Sequence, residues 1–186
     1  TDKTNRSKDY ILHIGTFERR KDLLTLVKAF KLFKDNTSSN LKLVLAGSKN
    51  FNGNKKIYKE IKRYISKNNL ISSTIIPGYI NEKQASYYYS NAFAYVFPSI
   101  DEGFGIPLIE AMRARVPVVC SDIEIFKEIG HDSVIYFKKH DYNDLYNQLK
   151  LICKDKTITE RLVLKGIKRA DLFNQKNFIK GFEKLY

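Results

Sequence analysis

Six short apolar runs, each ended by a glycine, a proline or polar residues and separated by longer amphipathic segments, govern what this chain of 186 residues can fold into. The first run, 10–14, stops at Gly15, and the second, 41–46, stops at Gly47. Runs at 74–76, 92–97, 116–120 and 133–137 follow, the third closed by Pro77-Gly78 and the fourth by Pro98. Between the first two, residues 22–34 place Leu23, Leu26, Val27, Phe30 and Phe33 at helical spacing, with Asp22 positioned as an N-cap. Helices are likewise expected at 54–67, 81–89, from about Pro107, from Asp122 or Glu124 to Ile129, and from Asp141 through 162–182. Strands alternating with helices in this way predict an α/β fold, a Rossmann-like parallel sheet with helices on both faces. Residues 1–9 are polar and read as a linker, leaving 10–186 as one domain.

In such sheets ligands sit beyond the carboxyl ends of the strands, at the point where the strand order reverses. That directs attention to the loops 15–21, 47–54, 77–81 and 98–105. The last reads Pro98-Ser99-Ile100-Asp101-Glu102-Gly103-Phe104-Gly105 and runs into a helix with Pro107 in its first turn and Glu110 just beyond. Glycines let backbone approach a ligand, and free N–H groups at a helix start attract phosphate. The first loop holds Gly15, Thr16, Arg19, Arg20 and Lys21, whose cations would face the same sheet edge and could clamp a diphosphate. Leu108 stands where a dinucleotide fingerprint needs its third glycine, and no Gly-Lys-Ser/Thr run exists, so neither NAD binding nor P-loop ATP hydrolysis is expected. Two carboxylates could suggest glycoside hydrolysis, but a glycine-flanked helix start and a basic loop have no place there.

Composition narrows the classes further. With 43% hydrophobic residues the chain can fill a core, and no apolar run approaches the roughly 20 residues that span a bilayer. No secretory leader is evident, and Cys120 and Cys153 fit neither a disulfide scaffold nor metal-ligand spacing. A reduced, cytoplasmic compartment is therefore expected. The net charge of +13 favours anionic partners, yet the lysines are dispersed, so most are expected to be solvated. The face carrying Lys55, Lys56, Lys59, Lys62 and Arg63 would suit peripheral contact with an anionic membrane, at its inner face. His13, inside the first run, reads as a buried hydrogen-bonded core residue, and the run Tyr87-Tyr88-Tyr89 as packing at the sheet edge.

The Glu-x7-Glu spacing from Glu102 to Glu110, with its internal glycines, resembles the signature of retaining glycosyltransferases of family 4, which have the two-domain GT-B fold. The similarity continues through 111–122 and Glu128-Ile129-Gly130, and upstream into the loop 15–22 and Leu45-Ala46-Gly47. The resemblance implies the C-terminal, donor-binding half of such an enzyme, acting with an N-terminal domain outside this sequence on a UDP- or GDP-sugar. It implies that Lys21 and Arg20 hold the donor diphosphate, with Gly15, Thr16 and Gly47 shaping the loops around it. Glu110 would accept from the ribose hydroxyls, Glu102 from hydroxyls of the transferred hexose, and the backbone of Gly103, Phe104 and Gly105 would reach sugar or phosphate. Glu102 and Lys21 are then the catalytic candidates, no metal or other cofactor is expected, and no nucleic-acid partner. Thr16 departs from an arginine common in the family, and Arg115 from a glycine. A GT-B nucleotide-sugar epimerase and a basic nucleic-acid-binding module are the rival readings.

Overall fold

The computed structural model describes residues 8–49 and 55–173. Residues 1–7 of the linker expected at 1–9, the start of the helix expected at 54 and the end of the one expected to reach 182 lie outside them. Among the described residues six strands and seven α-helices alternate up to a final helix pair: β1 Tyr10–Ile14, α1 Leu23–Asn36, β2 Lys42–Ala46, α2 Lys56–Lys67, β3 Thr74–Gly78, α3 Glu82–Asn91 and β4 Ala94–Phe97. After these come α4 Ile106–Arg113, β5 Val118–Ser121, α5 Glu124–Gly130, β6 Ile135–Phe137, α6 Tyr142–Lys154 and α7 Lys156–Asp171. The strands form one parallel sheet in the order β3-β2-β1-β4-β5-β6. This is the Rossmann-like sheet that the alternation predicts.

Burial explains why the runs read as continuous rather than alternating. Each central strand is covered on both faces, so both sets of side chains are apolar. On one face Ile11, Leu45 and Val96 pack against α1, α2 and α6 through Phe30, Phe33, Ile61 and Leu149. On the other, Leu12, Tyr95 and Cys120 pack against α3, α4, α5 and α7.

Boundaries differ from expectation for identifiable reasons. Ala92 closes α3 by donating its N–H to the Tyr89 carbonyl, and Val116 closes α4 by donating to Ala111. Their strands accordingly start at Ala94 and Val118. β3 extends through Pro77 and Gly78 because it is an edge strand, where proline's missing N–H faces no partner. Asp22 does precede α1, but in the left-handed conformation (φ 42°) and without capping it. Its carboxylate instead pairs with His140 Nδ1 at 2.9 Å. Asn81 is the true capping residue of its helix, exchanging hydrogen bonds with Gln84. Arg115, with φ 61°, shows why glycine is the commoner choice there: the turn demands a left-handed backbone.

Candidate functional site

The strand order reverses between β1 and β4, so their two carboxyl-end loops open the crevice where a ligand is expected. The loops are the first and the last of those singled out above, and they touch. Ile100 donates its backbone N–H to the Arg20 carbonyl at 2.8 Å. Arg20 and Lys21 lie in a single 3-10 turn, Arg19–Lys21, that precedes α1.

Glu102 is the hub of this crevice. Lys21 Nζ donates to its Oε1 at 2.5 Å and Arg20 Nη1 to its Oε2 at 2.8 Å. The Glu102 and Lys21 side chains are only 9% and 8% exposed, whereas Arg20 is 40% exposed. Arg20 Nε also donates to Glu18 Oε2 at 2.9 Å, and Glu18 Oε1 accepts from the Thr16 hydroxyl. Burial alone would raise the Glu102 pKa, but the Lys21 ammonium and the Arg20 guanidinium outweigh it and hold the carboxyl below its ordinary value. Lys21 lies over the Phe97 ring, 5.1 Å from its centroid, so it is a buried cation and not a solvent-facing loop lysine. Although it lies in a loop, this lysine packs on the core.

The glycines divide into two kinds. A Cβ at Gly47 would stand 1.9 Å from the Gly15 carbonyl oxygen, so the first two strand ends can approach only because position 47 is glycine. Gly105 caps α4 with φ 82°, and a Cβ there would press on Phe126. Its glycine is demanded by the fold, whereas a Cβ at Gly103 would meet nothing and leaves that backbone open. Phe104 is exposed and meets Phe173 edge-on, with ring centroids 6.2 Å apart.

Beneath the crevice His13 is fully buried, as expected. Its Nδ1 donates to the Val96 carbonyl at 3.0 Å, which leaves Nε2 as a lone-pair acceptor without a partner. Burial lowers its pKa to about 4, the Val96 hydrogen bond opposing and the Lys21 charge reinforcing the shift.

Glu110 stands apart from the ion pairs. It lies in a groove of about 500 Å³ between α3 and α4, lined also by Glu82, Ser86, Tyr89 and Arg113. Its Oε2 accepts from the Tyr89 hydroxyl at 3.1 Å. From the sequence, Glu18 and Phe173 have no part in the site, and Tyr89 reads as sheet-edge packing alone. Glu18 could have been found as the lone carboxylate in a basic loop. Nothing in the primary sequence pairs Phe104 with a residue 69 positions on.

The arrangement can therefore hold a multiply charged anion: two cations on one loop, open glycine backbone on the other, and a separate carboxylate groove alongside. Among the described residues no three His, Cys, Asp or Glu side chains group as metal ligands.

Comparison with known proteins finds relatives in both sequence and fold. The chain is 27% identical over 168 residues to O-antigen chain mannosyltransferase B of Escherichia coli, covering 90% of this chain and 43% of that protein. A solved sucrose-phosphate synthase from Thermosynechococcus elongatus superposes with a TM-score of 0.84 at 27% identity, over 97% of this chain and 45% of that one. Anabaena HepE, solved with UDP and glucose, shares the fold with a TM-score of 0.79 at 17% identity, over 88% of this chain and 44% of its own. The chain thus spans less than half the length of the curated relatives it matches. The profile of the family described as glycosyl transferases group 1 matches residues 2–169, and the chain belongs to that family.

Proposed function

We propose that this chain is the donor-binding half of a retaining glycosyltransferase that moves a hexose from a nucleoside diphosphate to a glycan or lipid-linked acceptor in surface polysaccharide synthesis. One observation carries the reading: Lys21, Arg20 and Glu102 converge at the reversal point of the sheet, held there by two loops about 80 residues apart. Lys21 and Arg20 hold the diphosphate, and each has N–H donors beyond those given to Glu102. Glu102, whose oxygens each accept from one cation, offers its remaining lone pairs to hydroxyls of the hexose, and Gly103 to Gly105 supply backbone. Glu110 receives the ribose hydroxyls in its groove. As the sugar departs, charge accumulates on the diphosphate, and cations already in place lower the barrier without reorganising.

The cations take the part a divalent ion plays elsewhere, so binding is metal-independent in this reading. The O-antigen and UDP-bound relatives support a nucleotide-sugar donor and a polysaccharide product. The acceptor side belongs to a preceding N-terminal domain, and without it the chain binds donor but does not transfer sugar. The reading places the protein in the cytoplasm, and exposed cations on α2, among them Lys59, Lys62 and Arg63, support contact with an anionic membrane face. No described helix is long and apolar enough to cross a membrane.

Calorimetric titration with UDP- and GDP-sugars, with and without EDTA, tests the proposal. Saturable binding of at least one donor, unchanged by chelation, is expected. Strict dependence on Mg²⁺ would refute the metal claim, and binding of random oligonucleotides but no nucleotide sugar would refute the donor site.

A further inference from the structure

Glu110 is an exposed carboxylate on a short helix, free by itself to rotate among its conformers. Tyr89 removes that freedom. The tyrosine is 4% exposed, and its ring packs against Tyr95 with centroids 5.4 Å apart. Its hydroxyl donates to Glu110 Oε2 at 3.1 Å and lies 3.4 Å from the Pro107 carbonyl. Tyr95 in turn donates to the Ile14 carbonyl at the end of β1, so the tyrosine pair links the Glu110 groove to the crevice that holds Lys21. Burial raises the Tyr89 pKa, which keeps the hydroxyl a donor throughout the physiological range.

The consequence is geometric. Tyr89 occupies one lone pair of Oε2 from the buried side of α4, leaving Oε1 and the remaining lone pair of Oε2 for the groove. A carboxylate fixed in this way accepts from two adjacent hydroxyls at once, as a vicinal diol presents them, and makes only one such bond when one hydroxyl is missing. We infer that Tyr89 is the positioning residue that makes Glu110 a reader of the ribose diol, and so sets a preference for ribonucleoside over 2′-deoxyribonucleoside diphosphates. The inference rests on the reading of Glu110 as the ribose acceptor.

The test titrates whichever of UDP and GDP binds more tightly, together with its 2′-deoxy counterpart, into wild type, Tyr89→Phe and Glu110→Gln. Phenylalanine keeps the packing against Tyr95 and deletes only the hydroxyl, so the variant folds with a near-native melting temperature. Wild type should prefer the ribonucleotide, and Glu110→Gln should abolish the preference. Tyr89→Phe should weaken ribonucleotide binding roughly threefold to tenfold, less than outright loss of a hydrogen bond to a charged group because Glu110 keeps its carboxylate, and leave the deoxy ligand within about twofold. A general loosening of the fold would weaken both ligands alike and would overturn the inference. Wild-type preference in Tyr89→Phe, alongside its loss in Glu110→Gln, overturns the role of Tyr89 and leaves that of Glu110 standing. Retained preference in Glu110→Gln removes the carboxylate from the ribose and takes both readings with it.

Discussion

Two lysine-rich regions lie at opposite ends of the sheet, and they use their charge differently. At the carboxyl ends, Lys21 is buried over Phe97 and paired with Glu102 from a loop 81 residues away. At the amino ends, Lys31, Lys34 and Lys42 line a cleft of about 360 Å³ with Asn68 and Ser72. There Lys31 pairs with Asp35, one turn along the same helix, and the Asp35 side chain is 47% exposed. The first arrangement needs the whole fold to exist, while the second needs only a helix. Net charge therefore says little about where an anion binds. What distinguishes the crevice is that topology brings its cations, Lys21 buried and Arg20 partly exposed, against one carboxylate at the reversal point, so that each side chain is held in place before a ligand arrives.

The contrast is broken most severely by removing the hub. Glu102→Ala leaves the Lys21 ammonium buried beside an aromatic ring without its counter-charge, and should destabilise the chain by about 3 kcal/mol or more in urea unfolding. Asp35→Ala removes an exposed pair and should cost about 0.5 kcal/mol or less. Equal losses would mean that the crevice pair is no more structural than a surface one.

Acid sharpens the same contrast through His13. Its folded pKa of about 4 lies below the ordinary value of 6.5, so the unfolded chain binds the proton first. Stability from this group is complete above about pH 6.5 and is lost as pH falls toward 4, by up to about 3 kcal/mol. The stability difference between wild type and His13→Leu should shift by that amount in the variant's favour between pH 7 and pH 4. A difference independent of pH would show that the imidazole is not held neutral beneath the crevice.

A smaller effect falls on binding. Lys21→Ala should weaken UDP or GDP binding by roughly 1.5–3 kcal/mol, as for a hydrogen bond to a charged group, while Lys34→Ala leaves it unchanged. Because Lys21 contacts Phe97, the variant should also lose some stability, so binding is read well below its melting temperature.

Much of this was legible in the sequence because it depends on period and punctuation. Strands buried on both faces read as apolar runs, and Gly15, Gly47 and Pro98 mark their ends at the edge where the site lies. The loops carrying Lys21 and Glu102 were identifiable for the same reason. What was not legible depends on distant segments meeting. That Glu102 pairs with both cations, that Lys21 is buried, and that Tyr89 alone of three consecutive tyrosines reaches Glu110 all follow from the packing of β4, α3 and α4. Helix closure by Ala92 and Val116 was hidden too, because an apolar residue at a helix end looks the same as one in a strand.

The central claim is one of place: the nucleoside diphosphate binds at the crevice between β1 and β4 and not wherever lysines gather. Hydrogen–deuterium exchange of the chain, with and without saturating UDP or GDP, reads that place directly. Slowed exchange should appear in residues 15–22 and 98–110 and be absent from 31–42 and 68–73. Protection confined to the amino-end cleft, with the crevice loops exchanging as in the free chain, would contradict the account.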